Sequence, residues 1–523
     1  MISMSLLALT LCGGVLVEPF RIADSEPGHH QTCVRAAMAP DGHFAVAWVD
    51  DLLLSHEHGL DLYIRFFDST GNPMTEPYQI AKMADTNWIY WPCLEMDTAG
   101  NVVLVCEEVD RVRFDDLDNH YIRFQRFAPD GSPVGSAQTL VPQVELGSMG
   151  RPIGLSLANN DEFAVTWCAL SPLWGYGAWV QRFNREGYPK GNAFLAHDDF
   201  GTSVLFCYPQ VALNDAGDLV VTWVEFYPSY PRFQVFDAED EPILAWEPMG
   251  HLVVDDSLGT SRVEAYWLDN DRFVLFWIDY VWPWNIAGRV FADRGLTRYP
   301  IRRLVHDSMA LNWPDPAGRF AVALSSDERF AETHIRSYTD YPDTSDPSKL
   351  RWWDHGGGIL GYIQNNEPIR RTTLFEYTPP WGADTVNSLI NNYPRTQPPA
   401  VACCNDRLVW AYSRLNTDTI FEAFAMITDW DMGEGVMESP IHTESPIRLE
   451  ASLNRLFYDV SGSVTGEAKL TLYSADGRRV LQETIKGKGT WTSSPPSSLP
   501  SGVYFARVKA ESAKATAKLV ILH

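Results

Sequence analysis

The stretch Asp41–Trp48, DGHFAVAW, decides the fold: a turn pair, then an apolar run that ends in an aromatic. The pattern returns as AGNVVLVC (Val102 to Cys106), NDEFAVTW (Phe163 to Trp167), AGDLVVTW (Leu219 to Trp223), NDRFVLFW (Phe273 to Trp277), AGRFAVAL (Phe320 to Leu324) and NDRLVWAY (Leu408 to Tyr412). Successive starts lie 58, 61, 56, 54, 47 and 88 residues apart. The widest gap holds a weaker copy, WWDHGGGILGYI, entered at Ile359. Self-similarity at such a period marks a repeat architecture.

Each copy keeps the same company. A short strand precedes it (CVRAAMAP, YPQVALND, PPAVACCN), and a strand ending in Phe follows (LYIRFFDSTG, YIRFQRFAPDG, WVQRFNREG). A last strand such as PYQIAK or HLVVDD completes the unit. Four antiparallel strands per repeat predict a propeller blade, because an isolated sheet is marginal and packing blades about an axis buries both faces. Seven or eight blades are expected, eight being the preferred count. PFRIAD (Pro19–Asp24) matches the fourth strand of later units and should pair with the last blade, whose other strands begin near Pro398. That would close the ring.

The repeats resemble bacterial secreted propeller repeats of the type F-V-V-A-W-x-D … D-I-Y-x-Q-R-F-D-x-x-G. Phe44, Trp48 and Asp50, then Asp61, Tyr63, Phe67, Asp68 and Gly71, stand at the matching places. That resemblance implies an extracellular propeller and no particular chemistry.

Residues 441–523 differ in composition. They hold 11 Lys+Arg and 7 Asp+Glu, net +4, against −26 for the whole chain. Several short strands between Gly and Asp turns predict a small immunoglobulin-like β-sandwich. LTLYSADGRRV, then LPSGVYFARVK, then AKLVIL resemble the C-terminal sorting domain of proteins exported by the type IX secretion system. Tyr473, Gly477, Arg478, Gly502 and Tyr504 carry the likeness, and the terminal His523 departs from it. The resemblance implies export through that machinery to the outside or the outer cell surface.

At the other end, the apolar run Leu6–Val17 suits the core of a secretory signal, and residues 1–16 are read as one, although no Lys or Arg precedes the run. The expected organisation is therefore a signal segment at 1–16, a propeller at 17–440 and the sandwich at 441–523. An excess of 67 Asp+Glu over 41 Lys+Arg opposes nucleic-acid binding. No apolar stretch reaches 18 residues, so no transmembrane helix is expected.

The 523 residues include 19 Trp, 21 Tyr and 25 Phe. Those in the connections after the repeated strand are candidates for binding: Trp174, Tyr176, Phe226, Tyr227, Tyr230, Tyr280, Trp282 and Trp284. Flat rings stack on sugar faces and anchor protein contacts. Trp48, Trp167, Trp223 and Trp277 recur with the repeat and belong to the core instead. Two positions beyond the repeated run lie Asp50, Glu108, Glu225 and Asp279, with Asp327 one place further on. Such a ring could hold calcium through oxygen ligands, or supply an acid/base pair for glycan cleavage. Equally, each carboxylate could accept backbone N–H bonds from its own loop. Repetition favours this scaffolding role, because catalysis needs asymmetry.

Other signals are weak. His56 and His58 in SHEHG lack a third metal ligand. No C-x-x-C pair and no G-x-S-x-G elbow occur, and the sialidase box S-x-D-x-G-x-T-W is absent. The eight cysteines imply no disulfide framework, though one or two bridges would be compatible with export. The sequence thus predicts an exported, non-catalytic propeller presenting a loop face to a glycan or protein, with no required cofactor. A polysaccharide-acting hydrolase or lyase and a structural surface-layer component are the rival readings.

Overall fold

A computed structural model describes residues 14–26, 28–52, 60–80, 88–110, 119–144, 153–160, 162–170, 176–197, 208–225, 230–245, 250–253, 262–279, 285–299, 302–303, 320–340, 351–362, 368–377, 399–415, 421–430, 448–452, 455–459, 467–474, 478–492, 499–500, 502–510 and 513–521. The chain packs as two compact units, Met1–Met437 and Glu438–His523.

The described residues of the first unit form seven antiparallel sheets. Six have four strands; the fifth carries two short segments on its outer edge. Their inner strands are His29–Met38, Trp88–Met96, Gly154–Leu157, Gln210–Leu213, Val263–Trp267, Phe320–Leu324 and Ala400–Cys403. Each inner strand touches the next in this order, and the last touches the first. Between consecutive sheets lies one apolar cluster, seven in all among the described residues. The cluster that joins Trp48 and Phe44 to Val409 and Ala425 links the seventh sheet to the first. The unit is a closed β-propeller.

The repeated motif has a physical cause. Its first residue sits opposite the last aromatic of the third strand: Phe44 opposite Phe67, Phe163 opposite Phe183, Phe273 opposite Phe291. These rings stack with centroids 4.9–5.1 Å apart and are fully buried. Gly42, Gly100 and Gly217 stand at positive φ in the turns before their motifs, where other copies carry Asn-Asp. Gly100 has φ +85°, and a Cβ there would lie 2.5 Å from Nε2 of His43 on the neighbouring sheet.

Closure comes from the N-terminal strand. Val15–Arg21 pairs antiparallel with Phe421–Asp429, the third strand of the seventh sheet. Arg65 of the first sheet then donates from Nη1 to the Ile22 carbonyl at 2.8 Å. The segment is thus held by the last and the first sheet together.

The described residues hold seven such sheets, within the expected seven or eight blades and one fewer than the preferred count. AGRFAVAL is not a second strand: Phe320–Leu324 is the inner strand of the sixth sheet, and Arg329–Asp340 is its second. The motif position in that sheet is therefore Phe330. The Ile359 segment opens no further sheet; Arg351–Tyr362 is the sixth sheet's third strand, followed by Pro368–Tyr377.

The second unit holds two sheets. One orders Arg448–Ser452, Arg455–Asp459 and Lys488–Thr492; the other orders Arg479–Lys486, Glu467–Ser474, Gly502–Ala510 and Ala513–Ile521. Leu456 and Trp491 from the first pack with Leu470, Leu472, Tyr504 and Val508 from the second in one core. This is the expected small sandwich.

Candidate functional site

The second strands all finish at one end of the ring, and most of the sequence-derived candidates fall in or beside the connections that follow them in sequence. Trp174, Phe226, Tyr227, Tyr280, Trp282 and Trp284 lie outside the described residues, as do His56 and His58. Tyr176, Glu225 and Asp279 sit at strand ends that frame these connections: Tyr176 pairs with Leu170, Glu225 with Tyr230, and Asp279 with Asn285. The Tyr230 ring is half-buried, with the Arg232 guanidinium 5.7 Å from its centroid.

Asp50 and Glu108 are engaged within their own sheets. Asp50 hydrogen-bonds Nδ1 of His29 on the inner strand, and burial raises its carboxyl above the usual range. Glu108 is buried and ion-pairs with Nε of Arg123 at 2.7 Å. Its neighbour Glu107 meets Nδ1 of His120 at 2.6 Å. Placing all seven second strands in register gives Asp50, Glu108, Ala169, Glu225, Asp279, Arg336 and Arg414 at this level. The level is mixed in charge, not a ring of acids. Asp327 does not belong to it. Asp327 lies in the turn between the sixth sheet's first two strands, at the opposite end, where Ser325 and Arg329 hydrogen-bond to it.

Carboxylates that accept backbone N–H groups are found at that opposite end. Asp68 takes the amides of Thr70 and Asn72, and Asp97 those of Ala99 and Asn101. Asp237 and Asp269 repeat the arrangement. Slight burial works against ionisation of Asp68, but hydrogen bonds from Thr70 and Asn72 outweigh it and lower its pKa to about 2. The scaffolding role expected of the rim carboxylates thus appears in these turns.

A second grouping had no signal in the sequence: the lining of the axial cavity, about 540 Å³ in volume. The fourth-from-last residues of the inner strands, in sheet order, are Arg35, Cys93, Gly154, Gln210, Glu264, Ala321 and Ala400. Two places further along the same strands stand Ala37, Glu95, Ser156, Ala212, Tyr266, Ala323 and Ala402. The first five sheets supply every charged and most polar groups of these levels, and the sixth and seventh supply only alanines. Repetition of the strands therefore does not make the channel symmetric. At these levels the polar groups form an arc over the first five sheets, and Ser325, Ser326 and Glu328 of the sixth line the cavity beyond them.

Within the arc, Arg262 ion-pairs with Glu264 at 2.5 Å. The Tyr266 hydroxyl donates to the Val322 carbonyl at 2.8 Å, tying the fifth sheet to the sixth. The Cys93 thiol donates to the Ile153 carbonyl, and burial raises its pKa to about 11. Burial, reinforced by Glu264 across the channel, raises Glu95 to about 8. Burial also lowers Arg35 from its usual value. Among the described residues no group of three or more His, Cys, Asp or Glu is placed to hold a metal ion. Cys168 is disulfide-bonded, in keeping with an oxidising location.

No curated protein matches the chain in sequence. Among solved structures, a protein of unknown function from Dyadobacter fermentans is 12% identical over 79% of this chain and 98% of its own, with a TM-score of 0.43. A polysaccharide lyase of family PL25, an ulvan lyase, is 9% identical over 80% of this chain and 94% of its own, at 0.43. The NanB sialidase of Streptococcus pneumoniae is 9% identical over 79% and 70%, at 0.37. Such distant likenesses assign no activity.

The C-terminal unit is another matter. In its described part the Ser474 amide closes a hairpin on the Arg478 carbonyl at 2.9 Å, the Arg507 guanidinium lies 5.5 Å from the Tyr473 ring, and the Tyr504 hydroxyl donates to the Pro500 carbonyl. Residues 454–522 match the secretion system C-terminal sorting domain. The chain is a β-propeller that carries a type IX sorting domain at its C-terminus, which directs it out of the cell or onto its outer surface.

Proposed function

We propose that the exported ring is a non-catalytic binding module that holds a glycan or a protein on the connections of its third, fourth and fifth sheets. One observation carries this reading. The aromatic-rich connections 171–175, 226–229 and 280–284 follow the second strands of three consecutive sheets, whose inner strands touch in order. Trp174, Phe226, Tyr227, Tyr280, Trp282 and Trp284 therefore arise from neighbouring stations of the ring, with Tyr176, Tyr230, Glu225 and Asp279 at their bases. Rings that stack on sugar faces, beside acceptors for sugar hydroxyls, make a glycan the first ligand to test. The Asp50–His29 and Glu108–Arg123 pairs support a non-catalytic role, since both carboxylates are occupied by basic groups of their own sheets. The sorting domain would act only as the export signal and engage the secretion machinery.

A glycan array probed with the full chain, beside Trp282→Ala and Trp284→Ala, tests the reading. Selective binding that each substitution weakens at least about tenfold is expected. Release of shortened or unsaturated oligosaccharides from a bound polysaccharide would overturn it in favour of an enzyme.

A further inference from the structure

Of the charged side chains on the axial cavity, one lacks a counterpart. The described lining holds Arg35, Glu95, Arg262, Glu264 and Glu328. Arg262 ion-pairs with Glu264, Glu328 ion-pairs with Arg272 at 2.8 Å, and Arg35 donates to the Val34 carbonyl at 2.9 Å. Glu95 makes no hydrogen bond or ion pair with any described residue. Burying a carboxyl without a partner is costly, and the uncharged Gln of like size would lessen that cost. The place left for a partner is the cavity itself. Its volume of about 540 Å³ falls within the range of small-ligand sites, roughly 300–1,000 Å³. We propose that the axial cavity binds a small organic ammonium ion, an amine no larger than an amino sugar, through the Glu95 carboxylate.

Three features select such a cation. First, with Glu95 ionised the lining sets three glutamates against two arginines, and both arginines are already engaged. Second, the charge that acts on Glu95 is the Glu264 carboxylate of the fifth sheet, which opposes its ionisation. A cation beside Glu95 relieves that repulsion and is attracted by both carboxylates. Third, among the described residues no group of three or more His, Cys, Asp or Glu is placed to hold a metal ion, which would want several such ligands. An ammonium group can take its remaining acceptors from neutral oxygens. Gln210 Nε2 donates to the Pro209 carbonyl at 2.8 Å, and its side-chain carbonyl is left to accept.

Binding should release a proton. The titratable and charged groups that share the cavity with Glu95 are Cys93 on its own strand and Arg35 of the first sheet. The fifth sheet adds Arg262, Glu264 and Tyr266, the sixth Glu328 and the seventh Cys403. The described lining from the third and fourth sheets contributes none. Burial holds the Cys93 thiol at about 11 and raises the Tyr266 phenol and the Cys403 thiol as well. Of the groups so raised, Glu95, at about 8, is the one that a cation can deprotonate near neutrality.

Calorimetric titration of the full chain at about pH 6.5, where unliganded Glu95 keeps its proton, tests this. The probes are glucosamine beside glucose and ethanolamine beside ethylene glycol. At least one ammonium ion should bind at least about tenfold more tightly than its neutral counterpart, since a hydrogen-bonded charge pair is worth about that or more. Repeating the titration in buffers of different ionisation enthalpy should show close to one proton released per ion bound. Glu95→Gln should remove both the preference and the proton release while the thermal transition persists, and Glu95→Asp should keep the preference. Neutral probes binding as tightly as both ammonium ions, binding without proton release, or a preference that survives Glu95→Gln would overturn the proposal. Trp284→Ala separates this site from the aromatic connections, because it should weaken glycan-array binding and leave the amine titration as it was. Loss of amine binding in Trp284→Ala would place the amine at those connections and overturn the cavity site.

Discussion

Arg182 of the third sheet reaches into the fourth, where its Nε donates to Asp240 at 2.5 Å while its other nitrogens meet the carbonyls of Gly217 and Asp237. The guanidinium is only 2% exposed. A buried cation with three partners in the next sheet acts as a peg between blades. Removing it leaves three acceptors between the sheets without their donor. Arg182→Met should cost about 3–5 kcal/mol, read from denaturant unfolding, the usual range for breaking a buried charge pair. A loss below about 1 kcal/mol would mean that water replaces the guanidinium.

Phe273 opens the fifth sheet's second strand, fully buried between Phe291 and Phe233 at 4.9 and 5.9 Å. Phe273→Ala should destabilise by about 3–5 kcal/mol through lost burial and the cavity left behind. Tyr188, which is 66% exposed in a turn, is its control. Tyr188→Ala should change stability by no more than about 0.5 kcal/mol. Comparable losses at both sites would deny that the motif's first residue is the interlock between sheets.

The sheets were legible in the sequence where the second strand opens on three apolar residues and carries no charge in its first five positions. They were not legible at the sixth. There the true second strand, RFAETH, places Glu332 and Thr333 in buried positions, while the inner strand FAVAL matches the motif. The repeat was thus read one strand too early, and the residues left over looked like an eighth unit. The axial cavity was illegible for a different reason. Arg35, Cys93, Gln210 and Glu264 share no residue type or local pattern, and only closure of the ring brings them to one level. Asp50 and Glu108 were visible as recurring carboxylates, but their partners, His29 on the preceding strand and Arg123 on the following one, had no signal of their own.

Glu95 should give stability a distinct pH dependence. In the folded chain it keeps its proton up to about pH 8, whereas an unfolded glutamate loses it near pH 4.3. Between those values the folded state binds the extra proton, so its contribution to stability falls as pH rises and levels off above about pH 8. Glu95→Gln stays neutral in both states. The difference in melting temperature, variant minus wild type, should therefore grow from pH 4.5 to pH 8. A difference independent of pH would show that Glu95 ionises normally inside the ring.

Removal of residues 438–523 should stop export. The sorting-domain match spans 454–522 and the second compact unit begins at Glu438, so this cut takes the whole unit. Immunoblots of culture medium and cell surface should lose the protein while the cell-associated fraction keeps it. Undiminished appearance outside the cell would refute the assignment of the address.

Closure of the ring underlies both proposed sites, since it sets the order of the aromatic connections and the level of the cavity residues. It rests on Val15–Arg21 lying along Phe421–Asp429, with Phe20 opposite Ala425. Hydrogen exchange followed by mass spectrometry reads this directly. The amides of Val15–Arg21 that face Phe421–Asp429 should exchange as slowly as their partners and open with them in one cooperative step. Free exchange across Val15–Arg21 while Phe421–Asp429 stays protected would contradict a closed propeller.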